Sequence, residues 1–474
     1  MFGAGFTFSL KPKIETVKLG EEQIDALKKL EEFVSNKEKC ITLSGSAGTG
    51  KTTILREFID YLDDEEISYA LAAPTHKAKL VIEALTGNEA QTVHQLLALS
   101  PNIEIFALDY RELIFETSKS NPNFSMTIPY NGIVIVDEAS MINDDLFQLL
   151  IDKCGSVKAK IVFVGDIKQI QPVKAKTTSK VFNLPNIITL TKIYRQAKDS
   201  PVLSILSTLR DHATSKFETM KGEHDSFNVY NSAKDFMLAA QPFLKESVST
   251  KNVLNCKILA YTNARVNSFN NVARKVIFEK DSDKEFNKGE ILTGYDNFEY
   301  DNYKFWNSLD YVITNDPFQI SKRIPNMNES ILGYNLELYD SVYKSTHSVF
   351  VISRENDTQT LINLSNLIET TRLRALELKS KGKRATDTWK RYFETLNSFA
   401  TPFNLFYDNR VIKKKTFDYG YASTVHKSQG SSYNRVFVDM GNIGKVQDSE
   451  DSEELRQLQY VAVSRTRGDA YILV

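Results

Sequence analysis

Gly45-Ser46-Ala47-Gly48-Thr49-Gly50-Lys51-Thr52-Thr53 decides what the first half of this chain folds into. It follows the apolar run Cys40-Ile41-Thr42-Leu43 and precedes Ile54-Leu55-Arg56-Glu57-Phe58-Ile59, whose apolar residues recur at helical spacing. Strand, Gly-rich loop and helix in that order are the context of a P-loop. Gly45, Gly48 and Gly50 let the backbone turn so that successive N–H groups and the helix N-terminus face phosphates. Ser46, Ala47, Thr49 and Thr53 complete the loop, Lys51 reaches the β- and γ-phosphates, and the Thr52 hydroxyl takes a place on Mg²⁺. The loop specifies a nucleoside triphosphate and leaves open which machine uses it.

Outward from the loop the pattern repeats. An amphipathic helix over residues 21 to 34, with Gln23 in its first turn, leads into the P-loop strand, and a second buried strand runs from Ile67 to Ala73. Two further continuous β-branched runs lie at 133 to 140 and 159 to 169, as buried parallel strands should. Strands alternating with helices predict a doubly wound α/β sheet with its ligands at the carboxyl ends of the strands. Asp137, Glu138, Asp166 and Gln169 stand at those ends. Nucleotide hydrolysis needs such groups: Asp137 to hold Mg²⁺, Glu138 to orient and deprotonate water, and Gln169 to sense the γ-phosphate or that water.

A second α/β pattern begins near 186, breaks off from about 276 to 419, and resumes with Tyr421 to Gln429, Arg435 to Met440 and Asp469 to Val474. The interruption consists of short Tyr-, Phe- and Val-rich runs, read as a small β-barrel, around a helical hairpin at about 361 to 398 that turns at Lys381-Gly382-Lys383. Within the first half, residues 100 to 130 read as a hairpin, Arg111 to Thr117 against Phe124 to Pro129 across the turn at 118 to 123. Arg195 and Arg465 fall in the second α/β pattern and supply guanidinium charge of the kind that phosphoryl transfer uses. Thr75, His76, Thr92, His94, Thr262, Asn263, Thr424, His426 and Lys427 sit where strands or loops end, and such groups hydrogen-bond a sugar-phosphate backbone without reading sequence.

Composition narrows the partners. The 474 residues suffice for about three domains. With 59 basic and 60 acidic residues the formal net charge is -1, so a polyanion must be met by a local groove. Cys40, Cys154 and Cys256 form no C-x-x-C, which argues against a disulfide framework or structural zinc. With no signal-like N-terminus and no apolar run of membrane-spanning length, the expectation is a soluble intracellular protein with no membrane partner, cytoplasmic in location.

Taken in order, these stretches resemble the superfamily 1 helicases, and among them the RecD-like branch with its Dda-like phage members. Gln23 matches the Q motif, residues 45 to 53 motif I, A-P-T-H-K-A-K at 73 to 79 motif Ia, and T-V-H-Q-L-L at 92 to 97 motif Ib. V-D-E-A-S at 136 to 140 matches motif II, G-D-I-K-Q-I-Q-P-V at 165 to 173 motif III, and L-T-K-I-Y-R-Q at 190 to 196 motif IV. S-T-V-H-K-S-Q-G-S-S-Y at 423 to 433 matches motif V and Y-V-A-V-S-R-T-R-G at 460 to 468 motif VI. The resemblance implies two RecA-like domains, 1-190 and 191-275 with 420-474, holding ATP and Mg²⁺ between them, with single-stranded DNA across their tops and movement 5′ to 3′. It implies that Gln23 contacts adenine, that Arg195 and Arg465 contact the γ-phosphate, and that the Thr and His positions contact the DNA backbone. It further implies a pin at about 98-130, for which Phe115 and Phe124 are the candidate strand-splitting aromatics, and an SH3-like domain with a helical tower at 276-419. Partners expected on this basis are single-stranded DNA, its junctions with duplex, and a single-strand-binding or replisome protein, in phage-type replication or recombination and so in a host cytoplasm.

Rival classes share some of these residues. A translocase that strips proteins from DNA or RNA needs the same Glu138 and arginines. A nucleotide-gated binding or loading protein is disfavoured by the intact Asp137-Glu138 pair, and a P-loop small-molecule kinase has no use for the second α/β half.

Overall fold

A computed structural model describes residues 19–46, 48–101, 115–117, 127–169, 179–192, 200–214, 216–446 and 453–474. They fall into two compact units, the first comprising residues up to 100 and 117–197 and the second the remainder.

In the first unit, helix α1 (Glu21–Ser35) precedes β1 (Cys40–Gly45), α2 (Lys51–Asp64), β2 (Tyr69–Ala73), α3 (His76–Thr86), β3 (Ala90–Thr92) and α4 (Val93–Leu96). Then come β4 (Ile133–Val136), α5 (Asp144–Ser156), β5 (Lys160–Gly165) and β6 (Ile187–Leu190). The six strands form one sheet in the order β3-β2-β4-β5-β1-β6, every pair parallel. The continuous apolar runs follow from helices lying on both faces, since side chains alternate along a strand. Ile133 and Ile135 pack with Leu30, Phe58 and Ile59 on one face, whereas Val134 and Val136 pack with Leu96, Phe147 and Leu150 on the other.

The second unit opens with α6 (Pro201–Asp211), β7 (Met220–Lys221), β8 (Ser226–Tyr230), α7 (Ala233–Thr250), β9 (Cys256–Ala260) and α8 (Asn263–Phe278). An antiparallel region follows: β10 (Ile291–Gly294), β11 (Asp310–Ile313), β12 (Gln319–Arg323), β13 (Ser330–Asp340) and β14 (Ser345–Ile352). The helical hairpin α9 (Thr358–Ser380) and α10 (Thr386–Leu396) comes next, then β15 (Phe417–Tyr419). The chain returns through β16 (Ala422–Thr424), α11 (Val425–Ser428), β17 (Arg435–Asp439), α12 (Glu453–Ser464) and β18 (Ala470–Leu473). The α/β sheet has the order β16-β9-β17-β18-β8-β7, parallel apart from the edge strand β7. The inserted sheet has the order β12-β13-β11-β10-β15, with β14 also paired to β13.

Phe115–Thr117 forms a two-stranded ladder with Leu99–Pro101. The expected pairing with Phe124 to Pro129 rests on residues 118 to 126, which lie outside the described residues. The side chain of Phe115 and all of Phe124 lie outside the described residues. So do Ala47 and Arg195. No helix among the described residues is long and apolar enough to cross a membrane.

Candidate nucleotide and nucleic-acid site

The loop between β1 and α2 closes on itself. Thr49 is buried, with its backbone N–H and its hydroxyl both donating to Ser46 O, at 3.3 and 2.9 Å. Gly50 caps α2 at φ 83°, a left-handed conformation that costs any other residue strain, and a Cβ there would stand 2.0 Å from Gln23 Nε2. Gln23 is itself buried: Oε1 accepts from Gly20 N at 2.9 Å and Nε2 donates to Thr49 O at 3.1 Å. The residue expected at adenine thus braces the loop from below. Lys51 Nζ donates to Gly45 O at 2.6 Å and Ser46 O at 3.1 Å, curling back over the loop interior. Thr52 and Thr53 occupy the first turn of α2.

At the end of β4, Asp137 Oδ1 accepts from Glu138 N at 2.8 Å, and Glu138 holds φ 51° before a short 3-10 turn. A non-glycine residue kept left-handed is a local cost that surrounding structure must impose, and such positions gather at functional sites. Burial, and then the Glu138 carboxylate, push the Asp137 carboxyl up to about 7, while the Lys51 ammonium pulls it down. A carboxyl whose charge is so poorly supported fits a divalent cation, and Asp137 and Thr52 are the oxygen donors that would hold Mg²⁺. Gln169 is 5 % exposed, and its Oε1 has no hydrogen-bond partner among the described residues. Ser140 Oγ, close by in sequence to Glu138, is buried and unpaired in the same way.

Arg465 lies at the end of α12, 5 % exposed. Its Nε donates to Val461 O at 3.1 Å, one terminal nitrogen to Ser431 O at 3.3 Å and the other to Ser464 Oγ at 2.9 Å. The guanidinium is therefore held within its own unit in this structure.

The four threonines assigned to nucleic acid prove to be helix caps. Thr75, Thr92, Thr262 and Thr424 are the N-caps of α3, α4, α8 and α11, their hydroxyls accepting from Ala78, Gln95, Arg265 and Lys427 N–H groups. Accepting a cap bond leaves the hydroxyl protons of Thr75, Thr92 and Thr424 able to donate to a phosphate oxygen, whereas Thr262 Oγ1 donates to Asn442 Oδ1 at 3.4 Å. His76, His94, Asn263, His426 and Lys427 occupy the helical turns that these threonines open, with His76 buried in its turn. Burial pulls both His94 and His426 below the ordinary histidine range, with Glu454 opposing the effect at His426. Both rings are thus neutral near pH 7. The register repeats across the molecule: Thr92 faces Ala73, two residues before Thr75, and Thr424 faces Ala260, two residues before Thr262.

One residue of this edge escaped the sequence reading. Asn442 Oδ1 accepts from Tyr261 N at 2.9 Å and Thr262 N at 3.0 Å, while Asn442 N donates to Asp439 Oδ1 at 2.8 Å. It thereby fixes the turn that presents Thr262 and Asn263. The only signal was an Asn just after an apolar strand, which turns of every kind share.

Two family models match the chain, an AAA domain over residues 18–230 and a UvrD-like helicase C-terminal domain over residues 419–473. The ATP-dependent DNA helicase Dda of Enterobacteria phage T4 is 27% identical over 476 residues, spanning 96% of this chain and 98% of that protein. The ATP-dependent RecD2 DNA helicase of Deinococcus radiodurans is 31% identical over 202 residues, which cover 42% of this chain and 25% of the relative. Among solved structures, the Pif1 helicase from Candida albicans superposes with a TM-score of 0.50 at 18% identity, covering 96% of this chain and 94% of that one. That likeness establishes the shared fold, two α/β sheets with an added antiparallel region. The similarity thus runs along nearly the whole chain for the Dda helicase and along less than half of it for the RecD2 helicase.

Proposed function

We infer that this chain is an ATP-dependent DNA helicase, which couples hydrolysis to stepping along single-stranded DNA in the 5′ to 3′ direction. The observation that carries the reading is the duplicated edge. Both α/β sheets end two neighbouring strands in threonine-capped helices in the same register, one pair in the sheet that carries the nucleotide loop and one pair in the other sheet. Two equivalent grips and one nucleotide site are what alternating attachment to a uniform phosphate backbone requires.

In this reading Lys51 exchanges the Gly45 and Ser46 carbonyls for phosphate oxygens, and Glu138 accepts the proton of the attacking water. Gln169 offers its unpaired oxygen to that water, and Arg465 leaves Val461 and Ser431 to meet the developing phosphate charge. Arg195 is assigned a parallel role and Gln23 the adenine edge. When bound, Mg²⁺, held by Thr52 and Asp137, would neutralise charge on the phosphates. Backbone N–H groups at the four capped turns and the hydroxyls of Thr75, Thr92 and Thr424, with Asn263 and Lys427, take the DNA phosphates. Residues 98–130 are assigned to a pin with Phe115 or Phe124 as wedge, and 276–419 to the domain that works with it.

The test is ATP-driven opening of two partial duplexes, one with a 5′ single-stranded tail and one with a 3′ tail, with Lys51→Ala as control. Opening of the 5′-tailed substrate alone is expected. Opening of neither, with ATPase activity still stimulated by single-stranded DNA, would replace strand separation by translocation.

A further inference from the structure

The ammonium of Lys427 is surrounded by residues that the helicase motifs do not include. Its Nζ lies 3.4 Å from the centroid of the Tyr295 ring and 3.4 Å from Asn307 Oδ1. Lys415 Nζ stands 3.9 Å from the same ring centroid, with its charge matched by Asp418 at 2.6 Å. Tyr295, Asn307 and Lys415 all come from the inserted antiparallel region, whereas Lys427 opens the helix capped by Thr424.

The placement is built into the backbone. A Cβ on Gly294 would stand 2.2 Å from Trp306 O, so the end of β10 and the loop before β11 meet at a distance only glycine allows. Gly294 N donates to Leu309 O at 2.8 Å, Ser308 N to Gly294 O at 2.9 Å, and Tyr295 N to Thr416 O at 2.8 Å. The same loop is tied to the α/β sheet. Asp310 accepts from Thr293 Oγ1 and, at 2.8 Å, from Lys257 Nζ on β9, and Lys257 also donates to Gly420 O at 2.6 Å. Tyr295 and Asn307 are thereby anchored to the strand that ends at Thr262 and to the segment that leads to Thr424.

An aromatic face attracts an ammonium through its quadrupole, here beside the Asp296 carboxylate, which also interacts with Lys427. A lysine stem left free would lose rotamer entropy when it met a phosphate, and a stem already held avoids most of that loss.

We propose that Tyr295, supported by Asn307, is a positioning residue for the DNA grip. Its ring holds the Lys427 side chain where a phosphate of single-stranded DNA arrives, and so makes the inserted region part of the second unit's grip. The proposal rests on the reading of Lys427 as a DNA contact.

Binding of a fluorescent oligothymidylate across a salt series, together with DNA-stimulated ATPase, tests it. Lys427→Ala should weaken binding and lower the slope of log K against log salt by about 0.7, one phosphate on a single strand. Tyr295→Leu should weaken binding roughly 3- to 10-fold and raise the DNA concentration for half-maximal ATPase while leaving the maximal rate in place. Tyr295→Phe should bind as the parent does. Asn307→Ala, on an exposed loop position, should move affinity the same way by less, and it keeps the test decisive if the Leu variant folds poorly. In the Lys427→Ala background Tyr295→Leu should add nothing. Parental affinity and salt slope in Tyr295→Leu and Asn307→Ala, beside a weakened Lys427→Ala, would overturn the positioning role alone, as would additive losses in the double variant. Parental binding by Lys427→Ala, or no single-strand binding by the parent, would remove the underlying reading as well.

Discussion

In the first unit Thr92 stands across from Ala73 and Thr75 caps the next helix; in the second Thr424 stands across from Ala260 and Thr262 caps the next helix. The edges correspond almost residue for residue, Ala-Pro-Thr-His beside Thr-Val-His-Gln in one and Ala-Tyr-Thr-Asn beside Thr-Val-His-Lys in the other. Away from those edges the units differ in how they treat a buried charge. The first sets Asp137 beside Glu138, so that burial and the neighbouring carboxylate both push its carboxyl up, with Lys51 opposing them. The second pairs a deeply buried charge: burial pulls Lys257, 2 % exposed, down, but Asp310 together with Tyr433 and Cys256 holds it above the ordinary lysine range. A buried carboxyl set beside another carboxylate suits an arriving cation, and a buried charge with a counter-ion holds two layers together.

The largest effect expected from this contrast is in the first unit. Lys51→Ala should lower ATP hydrolysis by at least about 100-fold, since it removes a charge aimed at the reacting phosphates. Single-strand affinity, measured by anisotropy, should stay within about 2-fold if the grips are separate from the nucleotide loop. Loss of both together would break the division.

Next comes the buried pair of the second unit. Lys257→Met or Asp310→Leu alone should cost about 3–5 kcal/mol in denaturant unfolding, by stranding a charge, whereas the double substitution should recover most of that loss. A mild single-variant effect would show the pair to be hydrated and would weaken the case that the inserted region is anchored to β9.

The duplicated edge is sharpened by substituting Thr75 and Thr262 separately with Val. Each should cost about 1 kcal/mol through the lost cap, and each should weaken oligothymidylate binding by similar factors. A binding loss confined to one unit would mean that the matching register serves folding in the other.

The smallest effect concerns pH. His94 and His426 are held below the ordinary histidine range, so the unfolded chain takes up their protons first as pH falls. Stability from this source is complete above the unfolded value of about 6.5 and is lost as pH drops from there toward the lower folded values. Thermal unfolding between pH 7.5 and 5.5 should show the decline, and His94→Asn with His426→Asn should flatten it. A slope unchanged in that double variant would assign the pH dependence to other groups.

What could be read from the chain alone was whatever depends on neighbours in sequence. The P-loop, the acidic pair after a buried strand and the alternation of apolar runs each follow from spacing within a few residues, because phosphate cradling and helix or strand periodicity are local demands. The threonines were legible as polar residues at strand ends, but their use as caps needed the helices, and their shared register needed two sheets to be laid side by side. The partner of Phe115–Thr117, the bracing of Gly50 by Gln23 and the anchoring of Thr262 by Asn442 were not legible, since each depends on a contact that composition does not constrain. By itself the sequence determined that this protein has one nucleotide loop in a doubly wound sheet and a second α/β half broken by an insertion. Only the tertiary structure decided that Lys257 meets Asp310 across 53 residues and that Tyr295 meets Lys427 across a longer stretch still. The physical reason is that a buried charge or a held ammonium takes whichever partner the packed layers bring to it, and the chain records the groups but not the layers.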